Sequence, residues 1–467
     1  MKLIIAEKND AARQIAERLS TGKPKKDKVY NTAIYRFEWK GEECVTIGLA
    51  GHILAPDFCD SVLFDKKLGW YSVTEDGEML PADMPDGLAR PPYDTKRKPF
   101  LAAGISIKGW KLESLPYLTW APVIKLPAEK ELIRSLKNLA KKSDSVIIAT
   151  DFDREGELIG SDALNKVREV APDLPVARAQ YSSFTKAEIT QAFDNLVSLD
   201  QNLADAGESR QHIDLIWGAV LTRYLTLAKF GGFGNVRSAG RVQTPTLSML
   251  VERQKQISGF KKEKYFNVVL DCDGLIVEKK KIFDVEEAER VWKTCQGSDA
   301  IVEKVESKEK TVKPPKLYDL TTLQREANRI YGMTAQQTLN AAQSLYEQKL
   351  ITYPRTDSQY LTSDMEETAK QVIRKIHEKY QLMGPFDQPK TPEVKKVLNN
   401  KKVSDHHAII PTVELAEFDF TKLREWEQKI LFLIAVHTVE AMEEDHVFME
   451  TEEEVRCQDE YLKQKEK

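Results

Sequence analysis

The stretch from Ser145 to Glu157 constrains the fold of this chain more than any other. Ser145-Val-Ile-Ile-Ala-Thr150 is a short, largely apolar run, the pattern of a strand buried in a parallel sheet. Asp151-Phe-Asp-Arg-Glu-Gly-Glu157 follows at once, and then Ile159, Ala163, Val167 and Val170 recur on one helical face. Strand, acidic loop and helix make an α/β unit. The N-terminus repeats the pattern: Lys2 to Glu7 is an apolar run ending in a carboxylate, and Ala12, Ile15, Ala16 and Leu19 then share one helical face. Ligands of open parallel sheets collect at the carboxyl ends of strands, so a strand ending in Glu7 and another in Asp151 and Asp153 predict one site.

The chain has 467 residues, 41% of them hydrophobic, enough for roughly two to four domains with separate cores. A formal charge of −4 excludes a uniformly basic nucleic-acid binder, so any DNA contact needs a local basic surface. Five cysteines, Cys44, Cys59, Cys272, Cys295 and Cys457, lie far apart without a CxxC pair. That argues against zinc ribbons and, in an odd set, against a disulfide framework. Charge follows the opening run at once, so neither a signal peptide nor a membrane span is expected, and the location implied is cytoplasmic.

Alternating segments Ala33 to Trp39 and Cys44 to Leu49, separated by Lys40-Gly41, read as a hairpin extending the sheet. From Thr185 the texture is helical. Thr185 with Glu188 has the spacing of a capping box, and Thr244-Pro245 places a cap and a first-turn proline before Leu247, Leu250 and Val251. The Lys/Glu-rich stretch 302–313, closed by Pro314-Pro315, reads as a linker, with a new domain from about Leu317. Thr334 and Gln337 cap a helix from Ala335 to Gln348, which runs into a strand-like Leu350-Ile-Thr-Tyr353. Residues 381–403, with Pro385, Pro389 and Pro392 among lysines, read as a surface loop.

Mg²⁺ prefers hard oxygen ligands and keeps several waters, so one or two carboxylates suffice to hold it. Asp151 and Asp153 supply such a pair, Glu155 completes or supports it, and Glu7, beside Lys8, is placed to exchange a proton with a leaving oxygen. A solvated acidic turn capping the next helix is the plain alternative, and it would suffice for a lone Asp-x-Asp. The longer string, paired with an early strand ending in Glu-Lys, resembles the Toprim domain shared by topoisomerases, bacterial primases and some nucleases.

Ile351-Thr-Tyr-Pro-Arg-Thr-Asp-Ser358 resembles the active-site motif of type IA DNA topoisomerases, and its order after the Toprim signature matches as well. A phenol with a reference pKa near 10 is a poor nucleophile in water. Arg355 can stabilise its anion and the phosphate charge with a planar donor fork, and Pro354 fixes the backbone between them. Any one of fifteen tyrosines would ordinarily be a packing residue, but the flanking Pro-Arg-Thr-Asp-Ser singles out Tyr353. Asp405-His-His-Ala-Ile-Ile-Pro-Thr412 extends the match; the family places a histidine here near the scissile phosphate, which by position is His406, with His407 the alternative. Ser238-Ala-Gly-Arg-Val-Gln-Thr-Pro245 resembles the family's strand-contacting motif, with Arg241 and Gln243 reaching DNA. Arg210, Asp214, Gly218, Thr222 and Arg223 repeat the spacing of its preceding helix, although solvated arginines on an amphipathic helix account for them nearly as well.

The resemblance covers Met1 to about Thr412 and is nearest to the topoisomerase III branch. It implies a multidomain α/β and α architecture around a central hole. The parts are a Toprim parallel-sheet domain (1–182), a helical DNA-binding domain (183–258), a partial β-rich arch (259–313 with 436–467) and a helical catalytic-tyrosine domain (314–435). The function implied is Mg²⁺-dependent, ATP-independent single-strand cleavage through a 5′-phosphotyrosyl link, then strand passage and religation. Tyr353, Glu7, Lys8, Arg355 and His406 are the catalytic set; Asp151, Asp153, Glu155 and Glu7 bind metal; Arg241, Gln243, Arg210 and Arg223 bind DNA. A Toprim nuclease or primase, and a non-catalytic single-strand-binding subunit, are the competing readings. Two departures stand out. Asn9 replaces the family's frequent proline after Glu-Lys, and little of the arch's return precedes Lys467. Strands of the arch are therefore expected to lack partners and to leave exposed edges, with poor relaxation and aggregation as the result. The partners expected are single-stranded or underwound DNA, a helicase and a complementing C-terminal segment; a cloning boundary, a natural truncation and a separately encoded subunit would each explain the ending.

Overall fold

A computed structural model describes residues 1–65, 68–85, 88, 104–229, 234–380, 392–403 and 406–466. The first module is built on a six-stranded sheet. Its early elements are β1 (Lys2–Ala6), α1 (Asn9–Leu19), β2 (Lys25–Val29), β3 (Thr32–Trp39) and β4 (Glu42–Gly48). Strands β5 (Leu54–Phe58), β6 (Ser61–Asp65), β7 (Gly69–Val73), β8 (Met79–Pro81) and β9 (Gly104–Ser106), helix α2 (Leu115–Leu118) and β10 (Val123–Pro127) form two small antiparallel sheets beside it. Helix α3 (Lys130–Ala140), β11 (Ser145–Ala149), α4 (Arg154–Arg168) and β12 (Val176–Arg178) then complete the main sheet, in the order β12-β11-β1-β4-β3-β2. β12, β11, β1 and β4 run parallel, and β3 and β2 add the expected antiparallel extension.

Side chains alternate across a strand, and here each face has its own core. Leu3, Ile5, Val146 and Ile148 pack against Leu136 and Leu139 of α3 and Ile159, Ala163 and Val167 of α4. Ile4, Ala6, Ile147 and Ala149 face α1 and α5 (Lys186–Asp194), and this second core continues without a break into Tyr346, Leu350 and Tyr353. Apolar continuity thus seats the tyrosine segment on the sheet.

Helices α6 (Gln201–Tyr224) and α7 (Gln243–Ser258) form the second module, and α6 buries only Ala204 and Gly207 while α7 buries none of its residues. The cap expected at Thr244 sits two residues late. α7 begins at Gln243 after Val242, and Thr244 Oγ1 instead accepts from the Gly240 N–H at 3.2 Å, closing the turn before the helix.

The stretch expected to be a linker is a strand. β13 (Phe266–Cys272), β14 (Leu275–Ile282), α8 (Val285–Cys295), β15 (Ala300–Val312), β16 (His446–Cys457) and β17 (Glu460–Glu466) make a five-stranded sheet in the order β13-β14-β17-β16-β15. The charge density of 302–313 rules out a buried strand, but β15 is solvent-exposed along nearly its whole length. Its lysines face glutamates across the ladder, Lys304 opposite Glu454 and Lys308 opposite Glu450, a pairing that stabilises an exposed strand. The same ladder corrects the expected shortage of partners: β16 pairs β15 from Val312↔His446 to Ala300↔Cys457, and β17 joins β16 to β14. Val268, Val277, Val291, Val455 and Leu462 close the core beneath α8.

The last module contains α9 (Leu320–Tyr331), α10 (Ala335–Glu347), α11 (Glu366–Tyr380) and α12 (Glu425–Glu440). Thr334 and Gln337 form the expected capping box of α10. α12 runs through the boundary drawn at 435, so we place that boundary after Glu440. The strand-like reading of Leu350–Tyr353 does not hold: Ile351 makes one isolated bridge, to Pro411, in otherwise irregular chain. Of the loop 381–403, residues 381–391 lie outside the described residues; Val394 and Val397 beyond them are buried rather than on the surface. Asp405 also lies outside them.

Candidate active site

The parallel register levels three strand ends, with Ala149 beside Ala6 and Ala6 beside Gly48. Glu7 follows the first, Asp151 the second, and the turn Gly51-His52 the third. Gly48 cannot be replaced, because a Cβ there would stand 2.3 Å from the Asn9 backbone. Its absence lets α1 start directly over the strand ends. The acidic loop is folded as tightly: a Cβ on Gly156 would meet the Asp151 carbonyl at 2.0 Å, and Asp153 caps α4 by accepting from the Gly156 N–H at 2.7 Å. Arg178 holds the loop from beneath. It is wholly buried, bonds Glu157 through Nε at 3.1 Å, and donates to the carbonyls of Thr150 at 2.9 Å and Asp151 at 3.0 Å.

Tyr353 arrives from the last module. α10 ends where Lys349 turns into the left-handed region at φ 68°, and the chain is then laced to 406–412. The Thr352 N–H donates to the Ile410 carbonyl and its hydroxyl to that of Ala408. The Tyr353 N–H donates to the Ser182 carbonyl at 3.1 Å, and Glu188 fixes that neighbourhood by accepting from the N–H groups of Ser182 and Ser183. Glu188 therefore serves this turn, while Thr185 alone caps α5. The Tyr353 ring is 1% exposed, edge-on to Tyr346, with His406 4.3 Å away between ring centroids. Its hydroxyl donates to Asp153 Oδ2 at 2.6 Å across a sequence separation of 200. One carboxylate thus caps α4 with one oxygen and holds the tyrosine with the other.

Burial and the charges of Glu7 and Asp153 push the Asp151 carboxyl well above its ordinary range. Burial and Asp153 raise Glu7 too, against the pull of Lys8. Burial, with Asp151 and Asp153 nearby, also raises the Tyr353 phenol, and Arg355 works in the opposite direction. His406 is lowered to about 4 by burial and by His407, so it is neutral near pH 7; its Nδ1 lies 3.3 Å from Ser182 Oγ. His407 instead bonds the Ala408 carbonyl, which leaves His406 as the histidine at the tyrosine. Lys8 reaches away from the acids to Glu347 at 3.1 Å.

Burial and mutual repulsion raise Glu7 and Asp151, a state that a hard cation relieves, and Glu7, Asp151 and Asp153 offer oxygen donors only. Among the described residues no three such side chains are already gathered around one point, so the donor set fits a largely hydrated ion held by one or two carboxylates. Glu155 is bound to His52 at 2.8 Å and Arg210 at 3.1 Å.

Two of the residues chosen on α6, Asp214 and Thr222, face the 238–245 stretch. Thr222 Oγ1 accepts from the Ala239 N–H at 2.9 Å, and Asp214 takes both arms of Arg241 at 2.7 and 3.0 Å. Gln243 opens α7 in the exposed region. Arg223 does not belong with them: it donates to the Ile107 carbonyl at 2.6 Å and lies over Trp110, a packing role. Sequence reading missed His52, Arg178 and Glu347. Gly51-His52 could have been found as a third strand end of the sheet; the other two carry no local signal.

Residues 2–184 match the Toprim domain family, and residues 198–467 match the DNA topoisomerase family. The chain belongs to the type IA DNA topoisomerase family. It is 33% identical over 380 residues to DNA topoisomerase 1 of Thermoplasma acidophilum, covering 80% of this chain and 43% of that protein. It is 35% identical over 351 residues to DNA topoisomerase 3 of Bacillus subtilis, covering 71% and 46%. The chain thus spans about half the length of the curated relatives it matches. The structure of topoisomerase I from Thermotoga maritima shares the fold, with a TM-score of 0.65 at 22% identity over 99% of this chain and 65% of that one. Among the described residues no helix is long and apolar enough to cross a membrane.

Proposed function

We propose that this chain cuts one strand of single-stranded or underwound DNA through Tyr353 and reseals it. The observation that carries this is the Tyr353 hydroxyl on Asp153 Oδ2 at 2.6 Å, which sets a nucleophile from the last module inside the acid cluster of the first. In the reaction a bond forms between the phenolic oxygen and phosphorus while the bond to the 3′ oxygen breaks. Asp153 is placed to take the phenol proton, and Glu7, with its raised affinity for protons, supplies one to the departing 3′ oxygen. Arg355 and neutral His406 face the phosphate, Arg355 with charge and His406 with a hydrogen bond. Mg²⁺ held by Asp151 and Asp153 would supply further positive charge at the phosphate. Religation reverses the steps, and the phosphotyrosyl bond conserves the energy of the broken one, so no ATP is spent.

Tyr353 is buried, so DNA must part it from Asp153 on entry. Arg241, Gln243 and Arg210 then meet the strand, with Arg241 exchanging Asp214 for phosphate. Strand passage, relaxation or decatenation, a helicase partner and a cytoplasmic location belong to the same reading. A Toprim nuclease or primase would have the acids but no use for a tyrosine pinned among them.

Incubation of the chain with 5′- or 3′-labelled single-stranded DNA and Mg²⁺, followed by denaturation, tests the reading. The expected product is protein bonded to the 5′ phosphate of the break, present in the wild type and absent in Tyr353→Phe, which keeps the ring and loses only the nucleophilic oxygen. Free cleaved DNA with no adduct would favour the nuclease reading.

A further inference from the structure

Glu155, in the acidic loop, is held by two side chains from outside it. Its Oε2 meets His52 Nε2 at 2.8 Å and its Oε1 meets Arg210 Nη1 at 3.1 Å. Gln211 Nε2, on the turn of α6 that carries Arg210, stands 3.3 Å from His52 Nδ1. Three elements therefore converge on one carboxylate: the loop after β4, the first turn of α4 and the middle of α6. The two helices approach closely just before this point. Gly207 of α6 lies so close to α4 that a Cβ would meet the Arg154 carbonyl at 2.6 Å.

We propose that Glu155 couples DNA contact on α6 to cation binding at the acidic loop, with His52 and Arg210 as positioning residues that hold its carboxylate while DNA is absent. The inference rests on the proposed function, in which Arg210 meets phosphate and the acidic loop meets Mg²⁺. With no DNA, Arg210 neutralises Glu155. A phosphate that takes Arg210 returns the negative charge of Glu155 to a loop that already carries Asp151 and Asp153, and the cation is held more tightly. His52 keeps the carboxylate on the α6 side, and Gln211 orients the imidazole. Linkage makes the effect reciprocal, so the cation must tighten DNA binding by the same factor.

The experiment uses the full chain carrying Tyr353→Phe, so that no cleavage occurs. Mn²⁺ affinity is measured by electron spin resonance with and without a single-stranded oligothymidine, and oligonucleotide affinity with and without Mn²⁺. Both ratios are expected to be about fivefold or more. Arg210→Gln should bring them close to one, Arg210→Lys should restore most of the effect, and His52→Gln should lower it. Nonspecific Coulomb attraction is separated by a cycle: once Glu155→Gln is present, adding Arg210→Gln should leave Mn²⁺ affinity unchanged. Binding of both ligands with the same coupling in Arg210→Gln and Glu155→Gln overturns the inference and leaves the proposed function standing. Failure of the Tyr353→Phe chain to bind either ligand overturns both.

Discussion

Asp151 is 8% exposed and Tyr353 1%, whereas Leu250 of α7 is 64% exposed and Arg241 ends in a half-exposed ion pair. The acidic site around Tyr353 and the helices beside it are built on opposite plans. At the site single side chains carry several bonds: Asp153 both caps a helix and holds the phenol, and Arg178 bonds a buried glutamate and the carbonyls of Thr150 and Asp151. Along α6 and α7 charges are paired provisionally, at positions open to solvent, and apolar side chains such as Leu247 and Met249 stay uncovered. Preorganisation suits bond chemistry, which tolerates little misplacement. Exchangeable ion pairs suit a polyanion that must enter, shift and leave.

The comparison is broken most directly at Arg178. Arg178→Ala leaves Glu157 buried without a partner, so we expect a loss of about 3–5 kcal/mol in chemical denaturation. Replacing both by apolar residues, Arg178→Met with Glu157→Leu, should cost much less. A loss under about 1 kcal/mol for Arg178→Ala would mean the acidic loop is not held as described. Leucines sharpen the contrast: Leu136→Ala, in the sheet core, should cost about 2–5 kcal/mol, and Leu250→Ala should stay within about 0.5 kcal/mol. Similar losses at the two positions would show that α7 is covered in solution.

His406 gives the site a dependence on acid. Its folded pKa, about 4, lies below the ordinary value of 6.5, so protons prefer the unfolded chain. Stability is therefore intact above about pH 6.5 and falls as pH drops toward 4, by about 1.4 kcal/mol per unit and about 3 kcal/mol in all. His406→Gln should remove that slope from the difference between pH 7 and pH 4 melts. An identical slope in the variant would place the titration elsewhere.

The acids and Tyr353 stood out in the sequence because each sits in a contiguous string whose composition no packing role requires. The contact between them was not, since Tyr353 and Asp153 meet through an apolar core running from the sheet into α10. Arg178 illustrates the same limit, as one arginine on a three-residue strand gives no hint that it supports the acidic loop. Charge misled at 302–313. Lys and Glu there suit a linker as well as an exposed strand, and only the facing glutamates of β16 decide between them. Spacing from Asp153 marked Glu155 as an acid of the same loop, but it gave no sign of His52 and Arg210, far off in sequence, as its partners.

The smallest expected effect tests whether the open helices are indeed exchangeable. Asp214 and Arg241 are both half-exposed, and a solvent-screened ion pair adds little to folding, so Arg241→Ala should leave the melting behaviour nearly unchanged. Its cost should fall on DNA instead. An arginine that exchanges its carboxylate for a phosphate releases about one condensed counterion, so the salt dependence of single-strand binding should flatten by about 0.7 in log–log slope. Asp214→Asn removes the competitor rather than the contact, and should tighten binding at low salt while leaving that slope intact. The two substitutions therefore move affinity in opposite directions at one ion pair, which a purely structural pair could not do. Equal weakening by both, together with a lowered melting temperature, would make the pair a fixed brace of α6 against the 238–241 segment and would erase the distinction between the two regions at this point.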